Sequence, residues 1–242
     1  MKNSNWILLL IFCAFLTSCA HKSGHGKEKN KRTENPIEQK ALSKPVRVTE
    51  RRTVGDKELN GSDIFRMYNT AVFTVFTSDG VQRFQGSGFF ISNDGLAVSN
   101  YHVFKGTNVG NEVIKLPGQD VTYHVTQVYA KSEDNDFILF RVDCKQSNYI
   151  PIARDQPSVG EKVYAIGSPR GLENTFSSGE ISQWRDKEVM QINVQIDHGS
   201  SGGALINSHG EVVGITSGTF YEESNANLNY AWSIDVIKSY IR

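Results

Sequence analysis

Three residue types that together can transfer an acyl group stand at separate points of this 242-residue chain: His102, Asp136 and Ser201. The serine lies in the run Gly199-Ser200-Ser201-Gly202-Gly203-Ala204-Leu205. Glycine packs nothing and weakens a strand interior, so a serine between glycines is a poor core element. The same run suits a tight turn that exposes a hydroxyl and aims backbone N–H groups at one point. An acyl-transfer nucleophile and the oxyanion it generates need that arrangement. Histidine, aspartate and serine in this chain order form one of the orders in which such a triad is assembled.

Those residues need a rigid frame, and the pattern around them is that of strands. Short runs rich in Val, Ile, Phe, Tyr and Thr recur between turn residues. They predict strands at 71–77, 82–91, 96–100, 121–129, 137–142, 162–166, 175–183, 189–195, 204–206, 212–217 and 229–234. Ser92-Asn93-Asp94-Gly95 and Asn207-Ser208-His209-Gly210 read as hairpin turns. Helix is scarce: one is expected over 62–68, with a serine as its N-cap, and a short one over 235–240. The pattern is all-β, of the barrel or sandwich kind.

The N-terminal quarter reads differently. Lys2 precedes an apolar run from Trp6 to Leu16, too short to span a bilayer and laid out like a secretory signal. Leu16-Thr17-Ser18-Cys19 resembles a bacterial lipobox, which implies lipidation of Cys19, and several acyl chains on one residue suffice for stable anchoring. The expected organisation is therefore a lipoprotein signal over 1–18, a lipidated tether over 19–59 and a folded domain over 60–242. Net charge is zero, yet residues 21–52 hold 10 Lys or Arg against 4 acids while residues 53–242 hold 15 against 22. The basic stretch is poor in aromatics and cannot bury enough surface to fold. As a flexible chain it would reach roughly 35 Å. With Cys13 leaving in the signal and Cys19 lipidated, Cys144 is the one thiol left, beside an apolar strand and fit for packing. No metal site, cofactor or nucleic-acid partner is expected, since ligand-type residues cluster nowhere.

Four motifs then give the chain a resemblance. Gly86-Ser87-Gly88-Phe89-Phe90-Ile91-Ser92, followed by Asp94 to Val103, resembles the first-barrel signature of trypsin-like proteases of the HtrA/Deg family. Asp134 to Val142 resembles their aspartate strand, and Val163 to Leu172 with Ser177 to Ser182 resembles the segment before the nucleophile. Gly199 to Asn207 resembles the serine loop. The resemblance implies a trypsin-like double six-stranded β-barrel with a short C-terminal helix, acting as a serine endopeptidase on cell-envelope or misfolded proteins of a bacterium, on the periplasmic side. It implies Ser201 as nucleophile, His102 as base and Asp136 as the orienting carboxylate, with the N–H groups of Gly199 and Ser201 as oxyanion donors. Asp136 is preferred to Asp134 because it directly precedes the apolar strand. The family usually carries a PDZ domain as well; none is expected after Arg242, and regulation by it is not carried over.

By the same resemblance 193–197, 216–219 and 230–232 wall the pocket for the side chain before the cut. Candidate substrate contacts are Gln195, Ile196, His198, Thr216, Ser217, Thr219 and Trp232. Gln195 stands where enzymes selective for Lys or Arg carry an acid, and Thr216 lacks the histidine that glutamate-specific relatives use nearby. A small or medium apolar residue, such as Val, Ala or Leu, is expected there. The other histidines read as solvent or strand residues. The alternative to an endopeptidase is a lipoprotein of protease fold that binds peptides or a partner with little turnover.

Overall fold

The computed structural model describes residues 45–48, 57–108, 110–144, 147–168, 174–219 and 228–242, all within one compact unit, Pro36–Arg242. The expected signal, Cys19 and most of the tether lie outside the described residues.

A helix, α1 (Gly61–Tyr68), leads into the first sheet. Its N-cap is Asn60 rather than a serine: the Asn60 side chain accepts from the Asp63 N–H at 3.0 Å, and the helix begins one residue before the expected start. The first sheet holds β1 (Val72–Ser78), β2 (Arg83–Phe90), β3 (Leu96–Ser99), β4 (Val113–Lys115), β5 (Thr122–Tyr123), β6 (Val125–Ser132) and β7 (Phe137–Val142), in the order β5-β4-β1-β2-β3-β7-β6. Its two edge strands are consecutive in sequence, separated only by His124. The predicted strand 121–129 is thus one run kinked in the middle, and counting it once gives six strands curled into a barrel. The kink has identifiable partners. The His124 N–H is drawn to Asp143 Oδ1 at 2.8 Å, and the Val125 N–H to the fully buried Glu112 at 2.6 Å.

The second sheet is a closed six-stranded barrel. Its strands are β8 (Lys162–Gly167), β9 (Thr175–Trp184), β10 (Val189–Ile192), β11 (Ala204–Asn207), β12 (Val212–Thr219) and β13 (Asn229–Ser233), in the order β10-β13-β12-β11-β8-β9. A short helix, α3 (Asp235–Lys238), follows. The fold is the double β-barrel of trypsin-like proteins.

Successive side chains on a strand point to opposite faces, and here both faces are apolar. In β7, Ile138 and Phe140 enter the first barrel, where Phe140 lies 5.2 Å from Phe104 and 6.4 Å from Phe73 between ring centroids. Phe137 and Leu139 face the other way, into a core shared with Tyr164, Ile166 and Ile206 of the second barrel. In β8 the pattern mirrors this: Val163 and Ala165 fill the second barrel while Tyr164 and Ile166 join the shared core. That double burial is why these strands read as continuous apolar runs rather than alternating ones.

Two pieces of the expected tether are seated on the fold. Val46 N–H donates to Tyr240 O at 2.8 Å and Val48 N–H to Arg242 O at 2.9 Å, in a parallel bridge between Val46 and Ile241. Leu59 N–H donates to Ser208 O at 2.7 Å. Apolar Val46, Val48 and Leu59 pack against the shared core, which makes these stretches part of the fold despite their basic neighbourhood.

Candidate active site

The two barrels meet where three loops converge. β3 and β7 run antiparallel, with Ser99 opposite Ile138, so the residues just after β3 and just before β7 are neighbours. A four-residue helix, α2 (Tyr101–Phe104), carries His102, and the turn before β7 carries Asp136. Asp136 Oδ2 lies 2.8 Å from His102 Nδ1, and Oδ1 accepts the backbone N–H of His102 at 2.9 Å. Ser217 Oγ donates to Asp136 Oδ2 at 2.9 Å. Asn100, fully buried, donates its side-chain N–H to Asp136 O at 2.8 Å. Asp136 has a positive φ of 42°, a left-handed conformation that Asp tolerates better than most residues. Its side chain is only 14% exposed, whereas Asp134 is exposed and makes no hydrogen bond or ion pair among the described residues.

Ser201 comes from the second barrel, in the turn before β11. Its carbonyl accepts the Ser87 N–H of β2 at 2.8 Å, which ties the serine loop to the first barrel. Gly202, at φ +87°, shows why glycine is needed: a Cβ there would fall 2.2 Å from Ser87 O. Ser201 Oγ donates to Ser217 O at 2.6 Å rather than to His102. The backbone N–H groups of Gly199 and Ser201 donate to nothing among the described residues. Their neighbours in the same turn do have partners: Ser200 N–H donates to Asp197 O and Gly202 N–H to Thr216 O.

His102, Asp136 and Ser201 line one open cleft of about 730 Å³ at the barrel junction. The comparisons agree with this geometry. Residues 86–215, more than half of the chain, match the trypsin-like peptidase domain. The chain belongs to the trypsin-like peptidase family. HtrA and Do-like proteases are among its curated relatives. The chain is 31% identical over 210 residues to Protease Do-like 1, chloroplastic, of Arabidopsis thaliana, an alignment covering 80% of this chain and 47% of the relative. It is 34% identical over 175 residues to a probable periplasmic serine endoprotease, DegP-like, of Rhizobium meliloti (strain 1021), covering 66% and 34%. Among solved structures, a serine endoprotease from Yersinia pestis superposes with a TM-score of 0.66 at 25% identity, over 75% of this chain and 65% of that one. The chain thus spans about half or less of the length of these curated relatives.

Within this trypsin-like domain the expected pocket residues separate into groups. Ile196, His198, Ser217 and Trp232 line the cleft with the triad candidates. Gln195 is exposed and borders a neighbouring cavity of about 230 Å³ behind the serine loop. Thr216 borders that cavity too, but it is 1% exposed and its hydroxyl donates to Ser200 O at 2.8 Å. Its hydroxyl serves the serine loop, beside the expected place of the residue in the pocket wall. Thr219 lies in β12, at the end of the described stretch. Ser217 also does more than line a wall, since its hydroxyl is spent on Asp136.

Several cleft residues escaped the sequence reading. Lys105 and Glu133 form an ion pair on the rim, and the hydrogen bond and charge of Glu133 hold the Lys105 ammonium above its ordinary pKa. Tyr101 lines the same rim. No spacing rule points to these three, because each is placed by the turn of a neighbouring loop. Cys144 lies away from the cleft, and burial pushes its thiol up, so it stays a thiol and packs in the first barrel.

Proposed function

We propose that this chain is a serine endopeptidase. The observation that carries the reading is the 2.8 Å contact between His102 Nδ1 and Asp136 Oδ2, in one cleft with Ser201. Asp136 fixes the histidine tautomer with its proton on Nδ1, which leaves Nε2 free to accept. Ser201 turns about its Cα–Cβ bond from Ser217 O toward His102 and attacks the scissile carbonyl as its proton passes to Nε2. The imidazolium then protonates the leaving amine, and water repeats the sequence on the acyl-enzyme. The unpaired N–H groups of Gly199 and Ser201 receive the oxyanion. Catalytic hydrogen bonds are often loose without substrate, so the resting bond of Ser201 to Ser217 O fits this scheme.

Ile196 and Trp232 on the cleft wall, and the lack of a carboxylate at Gln195, favour a small or medium apolar residue before the cut. Cell-envelope or misfolded proteins are the substrate class of this reading; the periplasmic DegP-like relative and the apolar run expected to be a secretory leader are what favour the envelope. A fluorophosphonate tests the site directly. It should label Ser201 stoichiometrically, and His102→Ala should slow the labelling sharply, because the serine proton then has no base to take it. An unlabelled Ser201, or labelling of His102→Ala at the wild-type rate, removes the histidine–serine pair; peptide binding without labelling would establish the alternative of a binding protein.

Anchoring is part of the same proposal. Cys19 carries the lipid, and the chain works captive at the membrane. Mass spectrometry of the mature N-terminus should show acylated Cys19, and Cys19→Ala should move the protein out of the membrane fraction or leave its leader uncleaved. An unmodified Cys19, or an N-terminus elsewhere, ends the lipoprotein reading.

A further inference from the structure

The serine loop is held by two buried hydroxyls, one from each barrel. Ser87, in β2, is fully buried; its Oγ donates to Gly199 O at 2.7 Å and accepts the Ser168 N–H at 2.9 Å. Thr216, in β12, donates its Oγ1 to Ser200 O at 2.8 Å. Each bond fixes one peptide plane. In the plane joining Gly199 to Ser200, the carbonyl is held by Ser87 and the N–H by Asp197 O at 2.9 Å. In the plane joining Ser200 to Ser201, the carbonyl is held by Thr216 and by the Gly203 N–H at 2.9 Å, which leaves the Ser201 N–H pointing away and unpaired. Gly199 takes φ +94°, a conformation open to glycine, so this segment could turn over were its carbonyls released. Two carbonyls of one short loop bonded to buried hydroxyls, beside two N–H groups bonded to nothing among the described residues, is an ordered division of the backbone. A buried carbonyl is satisfied as a rule; here side chains satisfy it, and the donors are spared.

We infer that Ser87 and Thr216 are positioning residues, which preorganise the oxyanion donors by holding the carbonyls of Gly199 and Ser200 away from the reacting atoms. The inference rests on the endopeptidase reading, and it also assigns the first barrel a part in the oxyanion site through Ser87. Preorganised donors act on the transition state and little on the ground state. Losing one clamp should therefore lower kcat and spare KM, by less than the roughly 10²–10³ that deleting a donor outright costs.

The test compares Thr216→Val, which keeps the shape and removes the hydroxyl, with Thr216→Ser, which keeps the hydroxyl. Ser87→Ala is set against Ser99→Ala, which removes a neighbouring buried hydroxyl bonded to Ser87 O at 2.7 Å. Each variant is assayed on a peptide substrate that the wild-type chain cleaves and Ser201→Ala does not, and each is titrated with a peptide boronic acid, which forms a tetrahedral adduct on the serine. Thr216→Val and Ser87→Ala should lose about 10–100-fold in kcat, with KM within about threefold and boronate affinity falling in step with kcat. Thr216→Ser and Ser99→Ala should stay within about threefold of wild type in kcat. Should Ser87→Ala fail to fold, the threonine pair decides alone. Equal loss in Thr216→Val and Thr216→Ser, or a rise in KM at constant kcat, overturns the inference and leaves the endopeptidase reading standing. Absence of any Ser201-dependent cleavage by wild type removes that reading, and the inference with it.

Discussion

Ser201→Ala is expected to abolish peptide-bond hydrolysis and leave the fold intact. The serine side chain is half-buried at the end of a turn, and its hydroxyl bonds only to Ser217 O among the described residues. Losing that bond costs about 1 kcal/mol, a modest share of a domain's stability. The loop itself is held by backbone and by other hydroxyls: Ser201 O to Ser87 N–H, Gly202 N–H to Thr216 O, and Gly199 O to Ser87 Oγ. Nothing in that list needs the Ser201 side chain. The chemistry does need it, because without the nucleophile no acyl-enzyme forms. A residual acceleration of roughly 10³–10⁴ over water is compatible with binding and oxyanion stabilisation alone. Casein cleavage at the wild-type rate by a variant with an unchanged melting temperature would show that another group cuts the bond. Loss of both activity and melting transition would show that the hydroxyl holds the loop.

The elements that could be read from sequence are those whose signal is local. β7 begins and ends at the expected residues because Phe137 to Val142, apolar but for Arg141, is bounded by Asp136 and Asp143. Both hairpin turns were legible from their Asn, Asp and Gly content, and Gly95 and Gly210 take positive φ there. β4 was not legible: three residues, Val113 to Lys115, are too few to show a period. The kink at His124 was hidden for a different reason. Its acceptors, Asp143 and Glu112, lie 19 and 12 residues away, and only the folded barrel brings them together. The same holds at the site. His102, Asp136 and Ser201 announce themselves through flanking glycines and apolar strands. The hydroxyls of Ser87, Thr216 and Ser217 look like ordinary strand residues until the two barrels are packed. Thr216 is instructive: sequence offered it for a pocket wall, and only the folded β12 shows its hydroxyl bonded to the serine loop.

Asp136→Asn should be the most damaging change that adds or removes almost no volume. Asp136 presents two acceptors to three donors: Oδ1 to the His102 backbone N–H, and Oδ2 to His102 Nδ1 and Ser217 Oγ. An asparagine has one acceptor and one donor group in the same space. The backbone N–H of His102 cannot change role, so the amide oxygen goes to it and the NH₂ faces the imidazole. Nδ1 must then accept, the ring proton moves to Nε2, and Nε2 can no longer take the proton of Ser201. The expected loss is about 10⁴ in kcat, the size of the tautomer effect in such triads, with peptide KM little changed. The side chain stays hydrogen-bonded, so the melting temperature should shift by only a few degrees. Asp134→Asn, two residues upstream, should stay within about twofold of wild type, since that carboxylate is solvated and touches nothing in the cleft. Measuring both variants on one peptide substrate separates the two carboxylates without relying on any global change in fold. A large loss at Asp134 and a small one at Asp136 would mean that the imidazole is oriented from the middle of the turn rather than from its last residue, and the proposed proton path from Ser201 would have to be redrawn.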